Sequence, residues 1–236
     1  ALAGDVALRA FVHGTPSVPA HGMQQIPRQL ADHLPDGVLR LGQRVHEVHP
    51  GHVVTDDGSV HADAVIVATD PRSAARLLPQ LAEPAMHGVT TWYHSTDDLG
   101  LAGGRPVLHV DGDVGGPVVN TVVISHAAPS YAPSGRALVA STVLGTGGVA
   151  DDEKAVLGHL ATLYDSGTSS WQTVGVARIP DALPAMTPPH DFRQSVSLGD
   201  GVFVAGDHRD SSSIQGALVS GRRTAHAVPS LRGARS

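Results

Sequence analysis

The sequence predicts an α/β chain (α+β overall) in which an antiparallel-sheet insertion splits a region containing a parallel sheet. Three observations predict it. The run "AVIVATD" (Ala64–Asp70) is apolar on both faces, as a buried strand of a parallel sheet is. Near the end of the chain, "VFVA" (Val202–Ala205) forms a second wholly apolar strand. Between the two, four strand-length pieces are separated by Gly, Pro and Asp turns, the pattern of an antiparallel sheet. The expected boundaries are a first region over 1–71, an inserted sheet domain over 72–190 and a closing strand and helix over 191–236.

The elements follow in order. "ALAGDVALRAF" reads as the inside of a helix, and a loop over His13–Gly22 follows. Met23, Ile26, Leu30 and Leu34 then recur at helical spacing until "PDG" at Pro35–Gly37 stops them. "VLRLGQRVHEVHP" and "HVVTDDGSVHADAVIVATDP" alternate and turn at "HPGH" and "DDGS", which suits a meander. A short helix is expected over Ser73–Leu78. The sheet pieces are "VTTWYHS", "PVLHVDG", "PVVNTVVISHA" and "RALVASTVLG". Asp151 or Asp152 caps the next helix, whose apolar face carries Val156, Leu157, Leu160, Leu163 and Tyr164. The strand "WQTVGVARI" and a proline-rich link, "PDALPAMTPPH", return the chain to the first region.

Composition narrows the function. The 236 residues are 41% hydrophobic but only 3% aromatic, so the core rests on Val, Leu, Ile and Ala. The net charge is −6 and no basic stripe marks a nucleic-acid or membrane partner. The chain has no cysteine, hence no disulfide, thiolate metal site or cysteine nucleophile. Its apolar runs fall far short of the ~20 residues of a membrane span, no signal peptide is visible, and a cytoplasmic location is expected. There are 15 histidines, but no H-E-x-x-H; His46 and His49 stand in a strand pattern, so no metal is predicted. No G-x-S-x-G elbow supports serine hydrolysis. His126, Tyr131 and Trp92 fall in the sheet domain and read as packing or surface residues; no catalytic base is assigned. Because the chain opens at Ala1 without an initiator Met, it is expected to be part of a longer protein.

The most informative stretch is "VFVAGDHRDSSSIQGALVSGRRTA" (Val202–Ala225). After Gly206 and Asp207 a helix is expected to begin near Ser212 or Ser213. Ser212 and Gln215 have capping-box spacing. Ile214, Ala217, Leu218, Gly221, Ala225 and Val228 form its inner face, with Ala217 and Gly221 allowing close approach to the sheet. Arg222 and Arg223 lie on the favourable side of the helix dipole. The N-terminus of such a helix offers free N–H groups to an electron-rich ligand, and a carboxylate ending the strand can bind ligand hydroxyls. By spacing alone, a well-capped core helix beside an ordinary loop acid is the commoner arrangement, since such caps are frequent.

This stretch resembles the C-terminal flavin-binding motif of the FAD-dependent amine oxidase, phytoene desaturase and protoporphyrinogen oxidase superfamily. "PAHGMQQIPRQLADHLP", "VLRLGQRVHEV" and "ADAVIVATDP" resemble further segments of it, in the same order and over about a third of the chain in all. The resemblance implies FAD. It implies that Asp207 binds the ribityl hydroxyls and that Gly206 allows close approach. Ile214 and Gln215 would face the pyrimidine edge of the ring behind Ser213, with Gly216 and Ala217 leaving room for it. Val45 would hold the adenine through its backbone, and Ala68 and Thr69 would lie near the dinucleotide.

Two departures qualify the likeness. No G-x-G-x-x-G occurs, and "GLAGG" (Gly100–Gly104) neither follows a buried strand nor opens a helix, so an additional N-terminal polypeptide is expected to complete the site. Ser213 replaces the aromatic residue of amine oxidases, and the sole lysine, Lys154, lies in an acid-capped helix. These features bring the chain nearest the phytoene-desaturase-like NAD(P)/FAD-dependent branch. The leading expectation is the C-terminal portion of a FAD-dependent oxidoreductase acting on a small molecule. A non-catalytic fragment or assembly subunit and a redox-neutral flavin-dependent isomerase are the alternatives.

Overall fold

The computed structural model describes residues 17–228; the expected helix end before Ser17 lies outside them. Helix α1 (Gln25–Ala31) leads to the strands β1 (Val45–His49), β2 (His52–Thr55), β3 (Gly58–His61) and β4 (Val65–Val67), then to α2 (Pro71–Leu77). The sheet region holds β5 (Met86–Thr96), β6 (Leu108–Val110), β7 (Val118–Val123), α3 (Ile124–Ala127), β8 (Ala137–Leu144), α4 (Glu153–Tyr164) and β9 (Gln172–Pro184). The chain closes with β10 (Ser197–Gly199), β11 (Val202–Val204) and α5 (Ile214–Ala227). The described residues divide into two compact units: residues 17–36 with His87–Ala182, and Gly37–Met86 with residues 183–228. The unit boundaries fall at 86/87 and 182/183 rather than at the expected 71/72 and 190/191; α2 packs into the second unit, which accounts for the first difference.

In that second unit β1, β2 and β3 form the expected meander, with His49 opposite His52 and His52 opposite His61. A separate sheet has the order β10-β11-β4. β11 and β4 are parallel, pairing Val202 with Val65, Phe203 with Ile66 and Val204 with Val67. Val67, Val202 and Val204 pack with Ala74 and Leu78, against which Val48, Leu77, Leu81 and Leu198 lie. Ile66 is exposed, so the run that looked apolar on both faces buries only Val65 and Val67. Asp70 caps α2 by accepting from the Ser73 N–H at 2.9 Å, and Pro71 takes the first helical position, where no N–H is needed.

The other unit is built on a five-stranded sheet of order β6-β7-β8-β5-β9. One face is covered by α4, which starts at Asp152: its carboxylate accepts from the Ala155 N–H at 3.0 Å. Val156 and Leu160 of α4 are fully buried against Val118, Val123, Val139, Val143, Trp92 and Trp171. Each such side chain contributes roughly 1.5–3 kcal/mol of hydrophobic burial. Several polar side chains on this face are paired, His94 being an exception. Thr121 Oγ1 bonds Ser141 Oγ (2.9 Å) and Tyr164 Oη (3.0 Å), and Trp92 Nε1 donates to the Ala150 carbonyl. His159 Nδ1 accepts from the Val118 N–H, which leaves the proton on Nε2, 3.4 Å from Asp111 Oδ2.

Two elements differ from the sequence reading. "ISHA" leaves the strand and forms α3, where Ser125 Oγ accepts from the Leu138 N–H at 2.9 Å. β9 continues through Pro180 to Pro184, residues expected in a link. As the edge strand of the sheet it tolerates prolines, since an outward N–H has no ladder partner to lose.

Candidate functional site

The parallel pair β4 and β11 brings two strand ends together. The Ala205 N–H donates to the Val67 carbonyl at 2.9 Å, so Ala68 and Thr69 leave the sheet beside Ala205, Gly206 and Asp207. Ligands of open α/β sheets bind beyond these carboxyl ends, where the following helices present their N-termini. Gly206 has φ +157°, and its N–H donates to Ser220 Oγ at 2.9 Å. Thr224 Oγ1 donates to the Ser220 carbonyl (2.9 Å) and approaches the Val204 carbonyl at 3.3 Å. These contacts hold α5 against the end of β11.

They also reverse the face expected for that helix. Gly216, Ser220 and Thr224 are its buried residues, whereas Ile214 and Leu218 are 48% and 50% exposed and Ala217 and Ala225 point outward. Short side chains win the inner face because the helix lies close enough for hydroxyls to bond the strand backbone. Gly216 is the tightest point, since a Cβ there would overlap the Ser211 carbonyl. The cap is Ser213, not Ser212: Ser213 Oγ accepts from the Gly216 N–H at 3.0 Å. Its carbonyl accepts from the Ala217 N–H, which leaves the N–H groups of Ile214 and Gln215 without an acceptor among the described residues.

The loop from Asp207 to Ser213 is fixed from behind by two arginines. Arg223 donates to Asp210 Oδ2 and the Arg209 carbonyl, both at 3.2 Å, and to the Gln194 carbonyl at 2.5 Å. Arg209 donates to the Ser195 carbonyl at 3.1 Å through Nε, and burial, then the nearby Arg223 charge, lower its pKa. Arg223 thus anchors the loop rather than merely complementing the helix dipole. The Ser212 N–H donates to Met186 Sδ at 3.4 Å. The front of the loop is less satisfied. The Asp207 carboxylate accepts no hydrogen bond among the described residues; its nearest cation-forming neighbour, His208 Nδ1, is 3.9 Å from Oδ1. Both His208 ring nitrogens and Ser212 Oγ are buried without partners.

Val45 begins β1 on the other sheet of the same unit. The Arg44 carbonyl accepts from the Asp56 N–H of the neighbouring strand, so the antiparallel alternation turns the Val45 N–H and C=O to the open edge. The remaining residues singled out in the sequence have structural partners or face outward. Tyr131 Oη donates to the Pro19 carbonyl at 2.7 Å, and His126 Nδ1 lies 3.3 Å from the Arg105 carbonyl. Lys154 is exposed, and "GLAGG" forms a 3-10 turn with Ala102 and Gly103 in left-handed conformation. Sequence reading missed His208 and Ser220 as parts of the site and gave Arg223 only a dipole role; the polar run "GDHRDSSS" signalled His208 alone.

A sequence profile of the flavin-containing amine oxidoreductase family matches residues 6–229. The chain belongs to this family. No curated protein matches it. Among solved structures, a putative protoporphyrinogen oxidase from Exiguobacterium sp. 255-15 is similar at 20% identity and TM-score 0.67, over 89% of this chain and 51% of that one. An oxidoreductase from Methanosarcina mazei is similar at 13% identity and TM-score 0.62, over 78% and 49%. A reduced UDP-galactopyranose mutase is similar at 13% identity and TM-score 0.59, over 79% and 45%. At these identities the likeness is one of fold. The chain spans about half the length of these structures. Its family is one of flavin-containing oxidoreductases, and no helix among the described residues is long and apolar enough to cross a membrane.

Proposed function

We propose that this chain is the C-terminal portion of a FAD-dependent oxidoreductase, a dehydrogenase, desaturase or oxidase, that acts on a small molecule. The observation that carries the reading is that one segment supplies both an Asp207 carboxylate accepting no hydrogen bond and the free N–H groups of Ile214 and Gln215. Both follow the buried strand β11 in a family of flavin-containing enzymes. The residues present fit the group. Asp207 accepts hydrogen bonds from a polyol chain passing Gly206. The α5 N-terminus aims two donors and a partial positive charge at an electron-rich ring edge. Ala68 and Thr69 border the dinucleotide, and Val45 offers its outward N–H and C=O to an adenine. Bound there, the flavin supplies the acceptor for a hydride or electron pair from the substrate.

The chain's own part is to orient that acceptor and to hold, from one side, the negative charge that grows on it. Because the chain carries no G-x-G-x-x-G, an N-terminal polypeptide completes the grip on the dinucleotide phosphates. The antiparallel-sheet unit receives the substrate. The test is FAD titration of the full-length gene product. Asp207→Ala removes a charged acceptor worth about 1.5–3 kcal/mol and weakens binding about 10- to 100-fold with little change in melting temperature. Binding within twofold of the unmodified protein would remove Asp207 from the site.

A further inference from the structure

We propose that His208 is a second ligand-binding side chain of this site, sharing one hydroxyl of the ligand's polyol chain with Asp207; the inference rests on the flavin reading above. Its side chain is only 9% exposed, yet neither ring nitrogen has a hydrogen-bond partner among the described residues. Buried imidazole nitrogens are rarely left so, because an unmade hydrogen bond costs the full desolvation of the group. The orphaned ring is held at one place in the fold. It packs over the α-carbon of Gly206, where any Cβ would overlap it, and the Gly206 N–H is already committed to Ser220 Oγ. The Asp207 carboxylate beside it, 26% exposed, accepts no hydrogen bond among the described residues.

The spacing of the two groups identifies what joins them. At 3.9 Å, Nδ1 and Oδ1 are too far apart to bond each other. An oxygen at ~2.8 Å from each spans that gap. A hydroxyl has the required chemistry: it donates to the carboxylate and accepts from an imidazole N–H. A phosphate oxygen meets the histidine but not the carboxylate, and an amine meets only the carboxylate. Both ring nitrogens are enclosed, so the ring or the loop before it shifts when the hydroxyl binds. Ser212 Oγ is also buried and unpaired in this loop.

The test uses the full-length gene product with FAD and with FAD analogues that each lack one ribityl hydroxyl, by flavin fluorescence. For the unmodified protein, one analogue loses both bonds of the shared hydroxyl and binds about 100-fold more weakly than FAD. In His208→Leu, which keeps bulk but no nitrogen, FAD itself binds about 10-fold more weakly, whereas that analogue binds the variant as it binds the unmodified protein. His208→Asn, whose amide restores a polar group near the Nδ1 position, recovers most of the affinity. The inference is overturned if every analogue binds the unmodified protein as FAD does, a result that does not depend on any variant folding. It is also overturned if His208→Leu binds FAD normally, or weakens all analogues equally. Failure of the unmodified protein to bind FAD overturns the flavin reading as well; a normal His208→Leu leaves that reading standing, and equal binding of every analogue also removes Asp207 from the polyol chain while flavin binding itself stands.

Discussion

Gly216→Ala tests how closely the last helix must approach its own loop. An ideal Cβ at this position lies 1.8 Å from the Ser211 carbonyl oxygen and 2.8 Å from its carbonyl carbon, both backbone atoms. Neither can move aside as a side chain would, so the segment Ser211–Ser213 or the helix start has to shift. That shift breaks the Ser213 cap on the Gly216 N–H, costing about 1 kcal/mol, and overpacking adds roughly 1–3 kcal/mol. Alanine's better helix propensity returns about 1 kcal/mol. The net expectation is a loss of roughly 1–3 kcal/mol, or about 3–10 °C in melting temperature for a chain of this size. Gly221→Ala is the control. It lies in the same helix, but a Cβ there meets nothing within 4 Å, so the propensity gain stands alone and melting rises by a few degrees, about 2–4 °C. Differential scanning calorimetry on both variants decides the matter. If Gly216→Ala melts at or above the temperature of Gly221→Ala, the reasoning from close approach is refuted.

Further expectations concern polar groups in each unit. Ser220→Ala leaves the Gly206 N–H without its acceptor and lowers stability by about 1–3 kcal/mol, read by urea denaturation; a neutral variant would mean that the bond is not formed. Asp111→Ala strands His159 Nε2–H and frees the Asp113 and Gly115 amides that the carboxylate binds, so a loss of about 2–4 kcal/mol is expected, with Asp111→Asn intermediate. His94 is fully buried between Trp92 and Trp171 with both nitrogens unpaired, and burial lowers its pKa from 6.5. The unfolded chain therefore takes up this proton first as pH falls below 6.5, and stability declines in that window by at most about 1.4 kcal/mol per pH unit. His94→Met should show a smaller drop in melting temperature between neutral pH and pH 5.5, and an equal drop would exclude His94 as the source.

What the sequence revealed, and what it hid, follows from how locally each feature is determined. The strands β4 and β11 were legible because unbroken Val and Ile runs have few other uses, and α4 because its Asp152 cap and its Val156 and Leu160 stripe agree. The meander was legible through its turn residues. Helix α5 was legible as an element but not in its orientation. Hydrophobicity ranked Ile214 and Leu218 above Ser220 and Thr224, while the deciding quantity was the distance at which hydroxyls reach the Gly206 and Val204 backbone groups. That distance is a tertiary fact. The same limit explains Arg223, whose partners Asp210, Arg209 and Gln194 include one nearly thirty residues away, and His208, whose burial is invisible in "GDHRD". Pro180 misled because an edge strand tolerates what a central strand does not.

The central claim, that the end of β11 and the start of α5 hold a flavin, is tested most directly by a visible absorption spectrum of the purified full-length gene product. The expected result is a flavin band close to one per chain that is released as FAD on denaturation and is lost on gel filtration of Asp207→Ala. A colourless protein that also takes up no FAD on reconstitution would contradict the claim.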